Sequence, residues 1–196
     1  MYSWQRWATV MGILAVVGCN DPETRIDLMT FDENGQAQKH YAEFRRASFR
    51  LSHGGALELV LRSEQPSSID PTQTITQILY VKSLWTPKPG ITFAEESQIN
   101  ARVQYAIITP PTGVRYDGGG FISYARKRRS REIVGKIESG TLAPRLRMGD
   151  AIEPFGTARF NGTFCAVENP RDVVTAVQML ESQFSKPASG AEPNKP

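Results

Sequence analysis

The sequence has few residues of the types that build disulfide frameworks and metal sites. Its 196 residues include two cysteines, Cys19 and Cys165, and two histidines, His40 and His53. Two cysteines allow one disulfide at most, and none of the four residues stands at the spacing of zinc ligands. We therefore expect no zinc enzyme and no bound cofactor.

The chain also lacks a strong excess of charge and a long hydrophobic run. It has 23 basic and 20 acidic residues, a balance that argues against a dedicated nucleic-acid-binding protein. The apolar stretch from Met11 to Val17 is far shorter than the roughly 20 residues that a transmembrane helix needs. We expect no membrane-spanning segment.

The first residues nevertheless have the pattern of an export signal. Arg6 supplies a positive charge, Met11 to Val17 are apolar, and the small residue Gly18 precedes Cys19. This leader resembles the processing signal of bacterial lipoproteins, and the resemblance covers the leader alone. It implies removal of the residues before Cys19, acylation of that cysteine and attachment to a membrane of the cell envelope. An ordinary secretory signal with an incidental cysteine is the alternative.

The resemblance also implies how the rest of the chain is organised. Lipidation of Cys19 leaves Cys165 without an intramolecular partner, so the fold is expected to hold without a disulfide. Residues 19–40 are predicted to be a polar tether, within which residues 26–31 could form an early strand. Residues 41–186 are predicted to form a single domain with one core. The last ten residues, 187–196, form a tail rich in proline, glycine and alanine that is predicted to be disordered.

The domain is predicted to be mainly β, because apolar residues recur with a period of two from about Tyr41 onward. The clearest unit is a hairpin in which Phe49 and Leu51 precede the turn His53-Gly54-Gly55 and alternating leucines follow it. About eight strands are predicted, at residues 49–52, 57–62, 75–84, 99–107, 121–125, 132–138, 142–148 and 160–167. They favour an antiparallel β-sandwich or a partly open barrel.

One helix is predicted, at residues 170–185. Asn169 is suited to the N-cap, and Pro170 to the first helical position. An apolar stripe follows at helical spacing, formed by Val173, Val177, Leu180 and Phe184. The helix is therefore expected to cover an open side of the sheet.

Candidate catalytic and metal-binding groups are sparse. A hydrolase would need paired carboxylates, and Glu95-Glu96 with Asp117 are the loop acids that could supply them. Adjacent residues of an extended chain point in opposite directions, so solvated acids are favoured and no enzyme is expected. Asp32-Glu33-Asn34-Gly35 could offer oxygen ligands to calcium, but it lacks the further acids of an EF-hand loop.

Three further features have structural interpretations. His53 lies in a glycine-rich turn, without an orienting partner for base catalysis. Cys165 lies on a strand beside apolar residues and is predicted to be a small buried hydrophobe. Gly118-Gly119-Gly120 lacks the strand, turn and helix of a phosphate cradle, so a flexible turn is predicted.

Two surface features are candidates for binding. Five of the six residues from 126 to 131 are basic, namely Arg126, Lys127, Arg128, Arg129 and Arg131. On a hairpin tip they could engage anionic lipid, acidic polysaccharide or an acidic envelope protein, or they could simply keep the tip solvated. The loop that contains Trp85 and Phe93 could stack on sugar rings, or Trp85 could pin it to the core.

These observations predict a membrane-anchored envelope lipoprotein that acts as a binding or structural module. The first alternative is a lipocalin-like barrel that holds a small apolar ligand in an interior cavity. The second is an envelope hydrolase that uses loop carboxylates in a cleft.

Overall fold

The computed structural model describes residues 24–32, 34–52, 54–67, 70–84 and 99–185. Within these ranges the chain forms nine strands followed by one helix. The elements are β1 (Arg25–Phe31), β2 (Ala37–Glu43), β3 (Arg46–Leu51), β4 (Leu57–Pro66), β5 (Thr74–Ser83), β6 (Ala101–Thr109), β7 (Thr112–Arg126), β8 (Glu132–Met148), β9 (Ala158–Glu168) and α1 (Pro170–Ser185).

Seven strands, β3 to β9, close into a barrel. Consecutive strands from β3 to β9 pair antiparallel, and β9 then meets β3 in a parallel pairing. The hairpin of β1 and β2 extends the sheet outward from β9. The predicted mainly-β fold with one C-terminal helix is confirmed, and its architecture is the barrel, which is closed rather than partly open.

Closure depends on β9, which has two partners along one edge. Its residues Arg159 to Thr163 pair with β1, whereas Val167 and Glu168 pair with β3. A Cβ on Gly162 would lie 2.8 Å from Cγ2 of Ile26 in β1. The bare backbone at this position therefore permits a close approach of the two strands, as the glycine on the apolar face of β9 predicts.

Alternate side chains point inward and fill the barrel. In β4, for example, Leu57, Leu59 and Leu61 have no solvent exposure. The largest inward side chains are aromatic, namely Phe49, Tyr105, Tyr116, Phe160 and Phe164. The interior of the barrel is therefore a core filled by buried side chains.

The segment between β8 and β9 adds Phe155 to this core. The Phe155 ring stacks on that of Tyr116, with 4.5 Å between centroids, and lies 6.3 Å from the ring of Tyr105. The Tyr116 hydroxyl donates a hydrogen bond of 2.9 Å to the carbonyl of Phe155. Burial raises the pKa of Tyr116 to about 12, and it also raises the pKa of Tyr105.

Helix α1 has the bounds that the sequence predicts and packs on the outside of the barrel. The side chain of Asn169 caps it by accepting a hydrogen bond of 3.2 Å from the amide of Asp172. The helix buries Val173, Ala176 and Leu180. These residues pack against the outward-facing side chains Val60, Ile78, Tyr80, Ala106 and Ile108. The surface that α1 covers is therefore the wall of a closed barrel, not an open side of a sheet.

The early strand predicted at residues 26–31 is present as β1, and residues 37–40 of the predicted tether are part of β2. They belong to the hairpin of β1 and β2, in which Ile26 and Leu28 are buried. The prediction of a tether was wrong where these strands form. Charged residues such as Arg25 and Asp27 lie on the outer face and alternate with the buried residues of the inner face. In the sequence, the exposed charged residues of these strands therefore looked like those of a solvated tether.

Gly118-Gly119-Gly120 form no turn but lie within β7, which pairs with both β6 and β8. A Cβ on Gly118 would lie 1.8 Å from the carbonyl oxygen of Thr141 in β8, so glycine is needed for the strands to approach. The same strand pair accommodates Pro144 beside a register shift at Tyr116. A bulge absorbs the missing amide of proline, and β8 continues through it.

Candidate functional site

The predicted basic tip lies where β7 turns into β8. The amide of Ser130 donates a hydrogen bond of 3.1 Å to the carbonyl of Lys127 and closes the turn. Arg129 has a positive φ of 59°, a left-handed conformation that lets the chain reverse within a few residues. We refer to residues 126–131 as the basic turn.

Two basic side chains of this turn have acidic partners. A guanidinium nitrogen of Arg126 lies 3.1 Å from the carboxylate of Glu168, and Nζ of Lys127 lies 3.0 Å from that of Glu132. The other three are exposed and make no ion pair with a carboxylate in the described part of the chain; they are Arg128, Arg129 and Arg131. The basic turn therefore offers three uncompensated cations to an anionic partner.

The described chain begins beside the basic turn. Oγ1 of Thr24 accepts a hydrogen bond of 3.1 Å from the amide of Cys165, and its carbonyl accepts one of 2.9 Å from the amide of Phe44. In the sheet, Cys165 pairs with Val134, which pairs with Ala125 at the end of β7. Three strand spacings of about 4.8 Å therefore separate Thr24 from Ala125, or about 14 Å across the sheet, and the basic turn begins at the residue after Ala125.

Further arginines lie near the same place. Arg45 and Arg46 follow Phe44 and are exposed, and Arg171 is exposed in the first turn of α1. The amide of Asn169, which precedes that turn, donates a hydrogen bond of 2.9 Å to β3. These arginines were not among the predicted site residues, and only the adjacency of Arg45 and Arg46 signals them in the sequence.

Several predicted site residues lie outside the described part of the chain. They are Cys19, His53, Trp85, Phe93 and the pair Glu95-Glu96. Asp117, the third candidate acid, lies on the outer face of β7. It accepts a hydrogen bond of 3.2 Å from Arg115, and a guanidinium nitrogen of Arg102 lies 3.7 Å away. Asp117 is therefore an ion-paired carboxylate between two arginines.

Two further candidates from the sequence are Cys165, which lies in β9, and Asp32, which directly follows β1. Cys165 is half-buried on the outward row of β9, so the prediction that it is buried among apolar residues was wrong. Strand alternation directs its apolar neighbours inward and Cys165 outward. Oδ1 of Asp32 accepts hydrogen bonds from the amides of Asn34 and Gln36. No group of three or more potential metal ligands occurs in the residues that the structure describes.

A cleft with a volume of about 680 Å³ lies on the outer face of β2, β1 and β9. Cross-strand neighbours line it in three rows: Glu43 and Arg25; then Tyr41, Asp27 and Asn161; then Lys39, Met29 and Arg159. Tyr41 is 74% exposed. The sequence did not predict this cleft, because most of β1 and β2 were assigned to the tether.

No helix in the described ranges has the length and apolarity needed to cross a membrane. The chain matches no protein-family model, no curated protein and no solved structure.

Proposed function

We propose that this protein is a lipid-anchored envelope protein whose basic turn faces the anionic headgroups of the membrane that holds Cys19. The position of Thr24 beside the basic turn carries this proposal. Cys19 precedes Thr24 by five residues, which span at most about 18 Å. The anchor and the three uncompensated arginines would therefore meet the same surface.

The energies indicate that the basic turn orients the barrel rather than holding it at the membrane. A Lys or Arg near an anionic surface contributes about 1 kcal/mol, so three arginines contribute about 3 kcal/mol. Acyl chains contribute about 0.8 kcal/mol for each buried methylene, which is far more in total. An oriented barrel presents its remaining surfaces in a fixed direction, as a binding or structural module requires.

The packed interior favours this proposal over a lipocalin-like barrel. Such a barrel would hold its ligand where Leu57, Leu59 and Tyr105 lie here, and these side chains are almost fully buried. A hydrolase based on loop carboxylates is also less favoured. Asp117, the candidate acid that the structure describes, lies on the outer face of β7, where Arg115 and Arg102 hold its carboxylate by a hydrogen bond and an ion pair.

The first experiment tests the anchor. Cys19→Ser in the full chain should move the protein from the membrane fraction to the soluble fraction, because the modified cysteine is the only proposed anchor. Cys165→Ser, which removes the other cysteine, should leave the protein at the membrane. A Cys19→Ser protein that stays at the membrane after a carbonate wash would show that no lipid on this residue holds it.

The second experiment tests the basic turn with a soluble chain of residues 20–196. It should bind vesicles that contain anionic phospholipid more tightly than neutral vesicles, and less tightly at high salt because the Debye length shortens. Arg128→Ser with Arg129→Ser should weaken this binding. Arg145→Ser with Arg159→Ser removes the same charge from exposed positions elsewhere and should have little effect. Equal losses in both double variants would contradict a specific role for the basic turn.

A further inference from the structure

β2 is the one strand of the described sheet that lacks a neighbour along one edge. Every other described strand has partners on both sides, since the barrel closes through β8 and β9. An open edge presents backbone N–H and C=O groups that can pair with another strand. The outward side chains along this edge are Lys39, Tyr41 and Glu43, and all three are exposed.

These three residues form a pattern that is complementary to itself. Lys39 and Glu43 stand two residues on either side of Tyr41. When two copies of β2 pair antiparallel about a two-fold axis at Tyr41, Lys39 of each copy lies opposite Glu43 of the other. The two tyrosines lie side by side between the two ion pairs. Opposite charges and aromatic pairs at such cross-strand positions are stabilising.

Neighbouring registers lack this complementarity. A two-fold axis at Lys39 places the two lysines opposite each other, and an axis at Ala42 places Lys39 opposite Arg45. An axis at His40 leaves Lys39 opposite Tyr41, with no acid for either lysine. Charge therefore selects the register centred on Tyr41, since like charges directly opposite each other are destabilising.

We infer that β2 is a self-association edge, which pairs antiparallel with β2 of a second copy of this chain with Tyr41 at the two-fold axis. A charged residue in an edge strand normally prevents indiscriminate pairing. Here Lys39 excludes other strands but is neutralised by Glu43 of a second copy. The inference rests on β2 alone and does not require the proposed function.

Cysteine crosslinking tests the register in the full chain. In a Cys165→Ser background, Tyr41→Cys should form a disulfide-linked dimer under mild oxidation, because the two residues face each other at a Cα distance of about 5 Å. Lys39→Cys should not, because the two copies of residue 39 are offset by four residues, or about 13 Å. Co-expression of Lys39→Cys with Glu43→Cys should give a crosslinked heterodimer. The Cys165→Ser parent measures the background.

Charge reversal tests the ion pairs with the same crosslink. Added to Tyr41→Cys, Lys39→Glu or Glu43→Lys alone should reduce the dimer several-fold, and the two together should restore it. Co-expression of the two single-reversal chains should also restore it, since one then carries two acids and the other two lysines. Failure of Tyr41→Cys to crosslink would overturn the inference, as would equal crosslinking through Lys39→Cys. The yield is measured in whichever fraction contains the protein, so the result is independent of the anchor.

Discussion

The hydroxyl of Ser48 donates a hydrogen bond of 2.5 Å to Oδ2 of Asp172, and so links β3 directly to the first turn of α1. Ser48 is 7% exposed, and the carboxylate lies near the positive end of the helix dipole. This contact fixes the start of α1 on the barrel wall, while the apolar side chains further along the helix provide most of the buried area.

Ser48→Ala is expected to lower the free energy of unfolding by about 1–3 kcal/mol, because a charged acceptor loses its donor in a partly buried position. Chemical denaturation measures the loss. Asp172→Ala should have a similar effect, and the double variant should cost less than the sum of the two single changes. Strict additivity would show that the two side chains do not stabilise each other.

Leu180→Ala should lower the free energy of unfolding by about 2–4 kcal/mol, since it removes buried methyl groups from the contact between α1 and the barrel. Gln178→Ala is the matched control, because Gln178 is exposed on the same helix. The control should change stability by less than about 0.5 kcal/mol. A loss of that small size for Leu180→Ala would mean that the stripe does not pack on the wall in solution.

Gly118→Ala should destabilise the barrel by about 3 kcal/mol or more, because the new methyl group meets the backbone of Thr141 and the strands must move apart. Gly156→Ala is a control with the same change of composition, since a Cβ there meets no atom within 4 Å. Thermal unfolding compares the two variants. Similar melting temperatures would refute the close approach of β7 and β8 at this position.

Tyr116 leads to a prediction for alkaline pH. Its pKa is raised to about 12 by burial, whereas a tyrosine in an unfolded chain has a pKa of about 10. Between these values the unfolded chain has lost the proton and the barrel has kept it, so stability falls as pH rises. We expect the free energy of unfolding to decline from about pH 10 to about pH 12. Tyr116→Phe should make the decline shallower in urea titrations at successive pH values, and an unchanged slope would contradict the assignment.

Local patterns predicted much of the fold. The β3–β4 hairpin followed from alternating residues around a glycine-rich turn, and α1 from Asn169, Pro170 and an apolar stripe. Asn100 shows where such patterns fail. This polar residue directly precedes β6 and is 3% exposed, because its side chain accepts a hydrogen bond from the amide of Ile122 and donates one to the carbonyl of the same residue. A partner 22 residues away leaves no local signal.

The candidate site was predictable in composition but not in arrangement. The cluster of basic residues is visible in the sequence, but its position beside Thr24 depends on pairing between β9, β8 and β7. The same holds for charge compensation. Arg126 finds Glu168 across 42 residues, whereas Arg128 has no described carboxylate partner, and nothing in the order of residues distinguishes the two.

The place of β9 in the sheet also determines when the barrel can close. Thr24 and Cys165 are joined by a hydrogen bond although 141 residues separate them in the sequence. In the same way, β3 can pair with β9 only after the last residues of β9 have been synthesised. Pairings this distant in sequence are slow to form and cannot begin before the last strand has been synthesised. The barrel therefore cannot close before β9 has been synthesised, whereas the pairings between consecutive strands from β3 to β8 can form earlier.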